Sequence, residues 1–277
     1  MTTPAPPRWL KVTRGAAPLV LSFPHTGTDL TDYEDRFISP WMARKDADWW
    51  VDQLYDFAHD LGATMVCTTI SRSVIDVNRD PSGVSLYPGQ PTTELCPTTT
   101  FDGEPLYKAG QEPSAAEINE RRITFYDPYH AALGAEIKRL RDVHPRVVVY
   151  DCHSIRSNIP RLFEGALPNF NIGTNSGASC DAALSDAVAA VCKATSFSHI
   201  VNGRFKGGFI TRSSGKPADN VHAIQMELAI RGYLNEITGP ISEDQWPAKY
   251  DEKYAAPMRA ALKGILEACL AFASKNP

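Results

Sequence analysis

The stretch VVVYDCHSIRS at residues 147–157 decides the fold. Val147, Val148, Val149 and Tyr150 run without a polar break and end abruptly in Asp151, His153 and Ser154. An unbroken apolar run of this kind reads as a strand buried on both faces, the habit of parallel sheets. Its C-terminal end then delivers polar groups to a site, because ligands of open α/β sheets bind beyond the carboxyl ends of the strands. Two other segments have the same form. PLVLSF at residues 18–23 leads into Pro24, His25, Thr26 and Gly27, and AIQME at residues 223–227 is an apolar strand that carries one carboxylate. Two strand-end histidines and one strand-borne glutamate are the parts a metal hydrolase needs.

Working outward, a chain of 277 residues is long enough for one large α/β domain. No internal boundary argues for two, so residues 1–277 read as a single domain with 1–16 as an extended lead-in. The net charge of −4 and a pI near 6.0 give no signal for nucleic acid or an anionic membrane surface. Six scattered cysteines without a C-x-x-C pair suit reduced thiols in a cytoplasmic protein better than a disulfide framework. The first residues show no charged segment followed by an apolar run, and no stretch approaches the roughly 20 apolar residues of a membrane span.

Strands are expected at 19–23, 65–69, 147–150 and 223–227, with a possible one at 170–173. Residues 26–45 read as a long loop with room for one short helix. Trp49, Trp50, Leu54, Phe57, Ala58 and Leu61 recur at helical spacing before Gly62, which predicts a helix over 46–61. Residues 80–113, rich in Pro, Gly and Thr, read as a long excursion that flaps over the site. Helices are predicted at 117–143, interrupted by Pro128, at 180–194 and at 250–274, where Pro257 marks a candidate first turn. Residues 199–205 and 209–212 read as a hairpin-like pair turning at Lys206, Gly207 and Gly208. Strands alternating with helices predict a mostly parallel sheet covered on both faces.

His25 and His153 share a strand-end setting in which imidazole either caps a strand or binds a metal. Asp151 is placed to orient a ligand. A third, carboxylate ligand falls to Asp48 or Asp46, both at the start of the helix expected after His25. There acidic side chains also favour the macrodipole, and Asp46 reads as the cap. Glu227, between Met226 and Leu228, is either an ion-pair partner or a general base with a raised pKa. Arg72, Arg79, Arg204 and Arg212 fall in segments read as strands or strand ends, a set suited to bidentate capture of substrate carboxylates. Cys152 beside His153 points to the opposite face, so a thiol nucleophile is disfavoured. Ser154 lacks a G-x-S-x-G elbow, and no phosphate-binding glycine loop is present.

Taken in order, the SFPHTG, DVNR, DCHS and NGRFKGGFITR segments and the strand ending at Glu227 resemble the N-formylglutamate amidohydrolase family over residues 18–235. Thr26 stands where that family is expected to carry serine. The resemblance implies a three-layer α/β/α domain like that of zinc carboxypeptidases, with a mostly parallel mixed sheet. It implies one Zn²⁺ (Co²⁺, Fe²⁺ or Mn²⁺ would suit similar ligands) held by His25, His153 and an acidic residue, with Glu227 catalytic. Arg72, Asn78, Arg79, Arg204 and Arg212 are then the substrate-binding candidates. The implied activity is metal-assisted hydrolysis of N-formyl-L-glutamate to L-glutamate and formate, in histidine breakdown. Rival readings are an aspartoacylase-like or succinylglutamate-desuccinylase-like enzyme for another small N-acyl amino acid, and a non-catalytic carboxylate-binding protein.

Overall fold

The computed structural model describes residues 7–85, 89, 92–237 and 239–275. Its strands are β1 (Leu10–Thr13), β2 (Leu19–Phe23), β3 (Thr64–Thr68), β4 (Val147–Ile155), β5 (Phe170–Gly173), β6 (His199–Val201) and β7 (Val221–Ala229). They form one sheet in the order β1-β3-β2-β4-β7-β5-β6. The central four are mutually parallel. Antiparallel pairing is confined to β1 on β3 and to β5 on β7.

The helices are α1 (Pro40–Arg44), α2 (Val51–Leu54), α3 (Ala115–Arg121), α4 (Asp127–Arg141), α5 (Ala182–Lys193), α6 (Phe209–Ser214) and α7 (Glu252–Ala273). One sheet face buries Leu21, Tyr150, Cys152 and Met226 against α5 and α7. The other buries Val20, Val66 and Val147 against α4 and α6. Three layers, α/β/α, result. All residues of β4 and β7 are buried, which is why neither strand shows polar alternation until its functional end.

Five local expectations change. Residues 46–61 do not form one helix: Trp50 adopts a left-handed backbone (φ 62°) and only Val51–Leu54 are α-helical, followed by a 3₁₀ turn at Asp56–His59. The tryptophans reach the core without a helix: Trp50 donates to Ala248 O, Trp49 lies against the same core, and their rings are 5.9 Å apart. The N-terminal segment is more than a lead-in, since β1 completes an edge of the sheet. Residues 209–214 form α6 and make no hairpin, and β6 pairs parallel with β5 instead. Helix α7 starts five residues before Pro257, under an Asp251 cap that accepts from Lys253 N and Tyr254 N. The region around Pro128 remains helical, but Arg122–Tyr126 is a π turn. Of the 80–113 excursion, the described part bridges back at Thr99–Pro105 and Phe37–Tyr107; residues 86–88, 90 and 91, like 1–6 of the lead-in, lie outside the described residues.

Candidate metal centre

Strand register assembles the first half of the site. Ser22 pairs with Asp151, Asp151 with Gln225, and His153 with Glu227. Side chains two apart on a strand share a face, so Ser22, Asp151, His153, Gln225 and Glu227 all emerge on the α4/α6 side. His25 follows β2 on a turn pressed against β3. A Cβ on Gly27 would sit 2.4 Å from Ile70 O and Thr69 C, so only glycine permits this approach.

The second half comes from loops. The backbone N–H of Asp48 donates to His25 O (2.9 Å), and the loop is held further by Tyr233, whose hydroxyl donates to Trp49 O (2.7 Å). Asp48 Oδ2 then lies 3.1 Å from His153 Nδ1 and 3.6 Å from His25 Nδ1. Behind each imidazole stands another carboxylate: Asp76 Oδ1 lies 2.6 Å from His25 Nε2 and Asp151 Oδ2 lies 3.0 Å from His153 Nε2. With Nε2 so engaged, the Nδ1 atoms of both rings face Asp48.

Donor chemistry and packing both fit a divalent ion. One ligand atom from each of His25, Asp48 and His153 can be chosen so that all lie within 4.8 Å of one another, and all three residues are buried. Zinc bonds to nitrogen and oxygen run about 2.0–2.2 Å, so donors at these separations can share one ion. Asp48 Oδ1 is buried with no hydrogen-bond partner among the described residues, Arg72 Nη1 standing 3.9 Å away, an arrangement that leaves room for a closer cation. Burial opposes charge here, yet hydrogen bonds from His153 and His25 hold the Asp48 carboxyl well below the usual range. His153 is pushed well above its ordinary value, burial being outweighed by Asp151 and Asp48. The spot attracts positive charge.

Of the two alternatives, Asp48 is the one gathered with the histidines. Asp46 caps no helix; it accepts from Phe101 N (2.6 Å) and from Arg156 Nη2 (3.2 Å), holding the 99–105 turn in place. The helix ahead of it is capped by Ser39 instead.

A cavity of about 600 Å³, open mouth included, lies over this centre and is lined by His25, His153, Glu227, Arg72, Asn78, Arg79 and Arg204 together with Phe101, Ile155, Leu162 and Phe205. Burial pushes Glu227 up to about 8. Gln225, whose Oε1 accepts from Gly208 N (2.7 Å), has its amide N–H₂ left to donate to Glu227 Oε2 (3.2 Å). None of the four arginines lies in a strand. Arg72 follows β3 in a turn; its Nη2 donates to Asp76 Oδ2 (2.7 Å), its Nη1 lies 3.3 Å from His25 Nδ1, and Phe101 stacks on it at 4.7 Å. Arg79 donates to Thr93 O and Oγ1, and Arg204 donates to Leu162 O. Arg212 lies in α6, donates to Gly207 O (2.9 Å) and is not among the residues lining the cavity. Asn78 is structural mortar as much as wall: its Oδ1 accepts from Ile210 N (2.8 Å) at the start of α6, its amide nitrogen reaches Asp151 and His153, and a Cβ on Gly208 would meet it at 2.4 Å.

Asp76, Gln225 and Phe101 escape the sequence reading. Asp76 had a signal: it is four residues from Arg72 and three from Arg79, and it binds both. The Arg79, His25 and Arg72 charges overcome burial and keep its carboxyl well below the usual range. Gln225 had one too, two residues before Glu227 on one strand face. Phe101 arrives from the long excursion and had none.

The model of the N-formylglutamate amidohydrolase family matches residues 17–234. N-formylglutamate deformylases of Pseudomonas putida and Pseudomonas aeruginosa are each 44% identical over 265 residues, covering 95% of this chain and 96% of theirs. A crystal structure of N-formylglutamate amidohydrolase from Ralstonia eutropha JMP134 superposes with a TM-score of 0.75 at 24% identity, covering 95% of this chain and 96% of that one, which is a likeness of fold. A sheet that gathers these side chains, matched along most of its length by one family's pattern, places the chain in the N-formylglutamate amidohydrolase family.

Proposed function

We propose that this chain hydrolyses the formamide bond of N-formyl-L-glutamate, giving L-glutamate and formate, with one divalent ion, zinc in the first instance, held by His25, Asp48 and His153. The observation that carries this reading is the sharing of one cavity by the two histidines of that buried group, by Glu227 and by three arginines. The relatives named N-formylglutamate deformylase, similar over nearly the whole chain, support the choice of substrate. When bound, the ion supplies Lewis-acid polarisation of the formyl oxygen and lowers the pKa of water from about 15.7 toward about 7.

The chain's own residues supply the rest. Arg79 and Arg204 hold the two carboxylates of the substrate, as guanidinium forks do. Arg72 is fixed by Asp76 and turns Nη1 toward the centre, where it stabilises developing negative charge on the formyl oxygen. Glu227, a stronger base than a solvated carboxylate because burial raises its pKa, takes the proton of the attacking water and passes it to the leaving nitrogen. Phe101, Ile155, Leu162 and Phe205 exclude solvent. The six cysteines are unpaired, and no helix among the described residues is long and apolar enough to cross a membrane. We place the enzyme in the cytoplasm, at the closing step of one route of histidine breakdown.

Formate release from N-formyl-L-glutamate, measured before chelation, after it, and with zinc restored, tests the reading. Release lost with chelator and regained with zinc is the expected result. No release by the zinc-loaded protein, or a preference for N-acetyl-aspartate across a panel of N-acyl amino acids, sinks it.

A further inference from the structure

The α3–α4 region carries a device that the reaction itself does not account for. Arg121, Tyr126 and His130 each donate to a backbone carbonyl of the loop that bears Asp76, Asn78 and Arg79. Arg121 Nη1 reaches Val74 O, His130 Nε2 reaches Val77 O and Tyr126 Oη reaches Arg79 O, all at 2.8 Å. The three donors are five and then four residues apart. In a regular α-helix, residues five apart stand about 140° apart around the axis, so Arg121 and Tyr126 would face different neighbours. Between them lies the π turn Arg122–Tyr126, closed by Asp127 N donating to Arg122 O. Its extra residue per turn brings the five-residue step back onto one stripe, and the following four-residue step keeps His130 there. Pro128 explains why the turn forms here: its ring is incompatible with the carbonyl of Thr124 in α geometry, and it has no N–H to give. Tyr126 and His130 also stack at 4.3 Å, with Phe209 of α6 against both.

We propose that the π turn is a register device that clamps the 74–79 loop, making Tyr126 and His130 positioning residues for Arg79 in substrate binding. The link to Arg79 rests on the deformylase reading above; the clamp itself does not. Tyr126 holds the carbonyl of the very residue whose guanidinium faces the cavity, so freeing that carbonyl lets Arg79 wander while His25, Asp48 and His153, all outside the 74–79 loop, stay.

The test uses the zinc-loaded full chain and Tyr126→Phe, which removes one oxygen and keeps the ring. KM for N-formyl-L-glutamate is expected to rise about five- to tenfold, the worth of one hydrogen bond, with kcat and zinc content within about twofold. In an Arg79→Ala background the same substitution is expected to leave KM where Arg79→Ala alone puts it. Amide hydrogen exchange of peptides covering 74–79 is expected to quicken about tenfold in Tyr126→Phe. It should do so again in His130→Ala, with partial recovery in His130→Gln, whose amide can still donate. An equal KM increase with and without Arg79 overturns the link to substrate binding. Unchanged exchange in both Tyr126→Phe and His130→Ala overturns the clamp. Should the parent release no formate, the deformylase reading fails on its own, and hydrogen exchange still decides the clamp.

Discussion

The two halves of the site are built on different principles. His153, Asp151, Gln225 and Glu227 ride on β4 and β7, whose residues are all buried and whose register is fixed over nine consecutive pairs. Asp48, Arg72, Asp76, Asn78 and Arg79 ride on loops that owe their shape to hydrogen bonds with distant parts of the chain. A strand places a side chain by repeat alone, whereas a loop places one only after its neighbours have done so. Yet the metal group needs both, since Asp48 closes what the two histidines begin. The comparison teaches that rigidity here is borrowed: apart from Arg79 the loop half is buried like the strand half, but through side-chain bonds that can be removed one at a time.

Removing the acid on the strand half gives the largest effect. Glu227→Gln is expected to lower kcat for N-formyl-L-glutamate by about 10²–10⁴, the usual worth of a positioned general base, while metal analysis finds zinc content unchanged. Loss of zinc together with rate would mean that Glu227 is a ligand or a structural partner. Next comes substrate capture by the loop half. Arg79→Ala is expected to raise KM about 10- to 100-fold, the cost of a lost charge-assisted pair, with kcat nearly kept. A kcat effect without a KM effect would move Arg79 from the carboxylate to the reacting centre.

The sharpest comparison sets Asp76, on a loop, against Asp151, on β4, since each backs one histidine through Nε2. Asp76→Asn and Asp151→Asn are each expected to weaken zinc binding about 10- to 100-fold, measured by competition with a chromophoric chelator. Comparable losses say that the loop carboxylate is held as firmly as the strand one. A loss confined to Asp151→Asn would show the loop half to be an accessory.

Legibility follows the same division. Strands β2, β4 and β7 could be read because buried parallel strands leave unbroken apolar runs, and the two histidines and Glu227 became candidates because they stand at or near the ends of those runs. The layer architecture followed from their alternation with helices. The segment at 46–61 misled because Trp49, Trp50 and Leu54 imitate a helical stripe while packing on a chain that Trp50 turns into left-handed geometry. The stretch at 209–212 misled because its apolar residues, following two glycines, suit a strand after a turn; in fact Asn78, more than a hundred residues earlier, accepts the N–H of Ile210 and starts a helix. Asp46 looked like a cap because no local feature announces Phe101 or Arg156 as its partners. Long-range bonds of this kind leave no periodicity in the chain.

The smallest effect probes how the strand half tolerates its own acid without the ion. In zinc-stripped protein burial holds Glu227 near 8, against about 4.3 for an unfolded glutamate. A folded pKa raised above the unfolded one means that the folded state binds the proton more tightly. Its stabilising contribution is therefore complete below the unfolded value and is lost as pH climbs through about 8. Glutamine cannot ionise, so stripped Glu227→Gln is expected to melt a few degrees above the stripped parent at pH 8.5. That gap should shrink steadily toward pH 5, followed by thermal unfolding across the series. The surrounding side chains are the same in both proteins, so the difference between the two curves reports on residue 227. Zinc should narrow the gap at pH 8.5 as well, because a cation beside the carboxylate favours its charged form. A gap independent of pH would place Glu227 in contact with solvent or paired with Arg72, and would return the strand half to an ordinary ion pair.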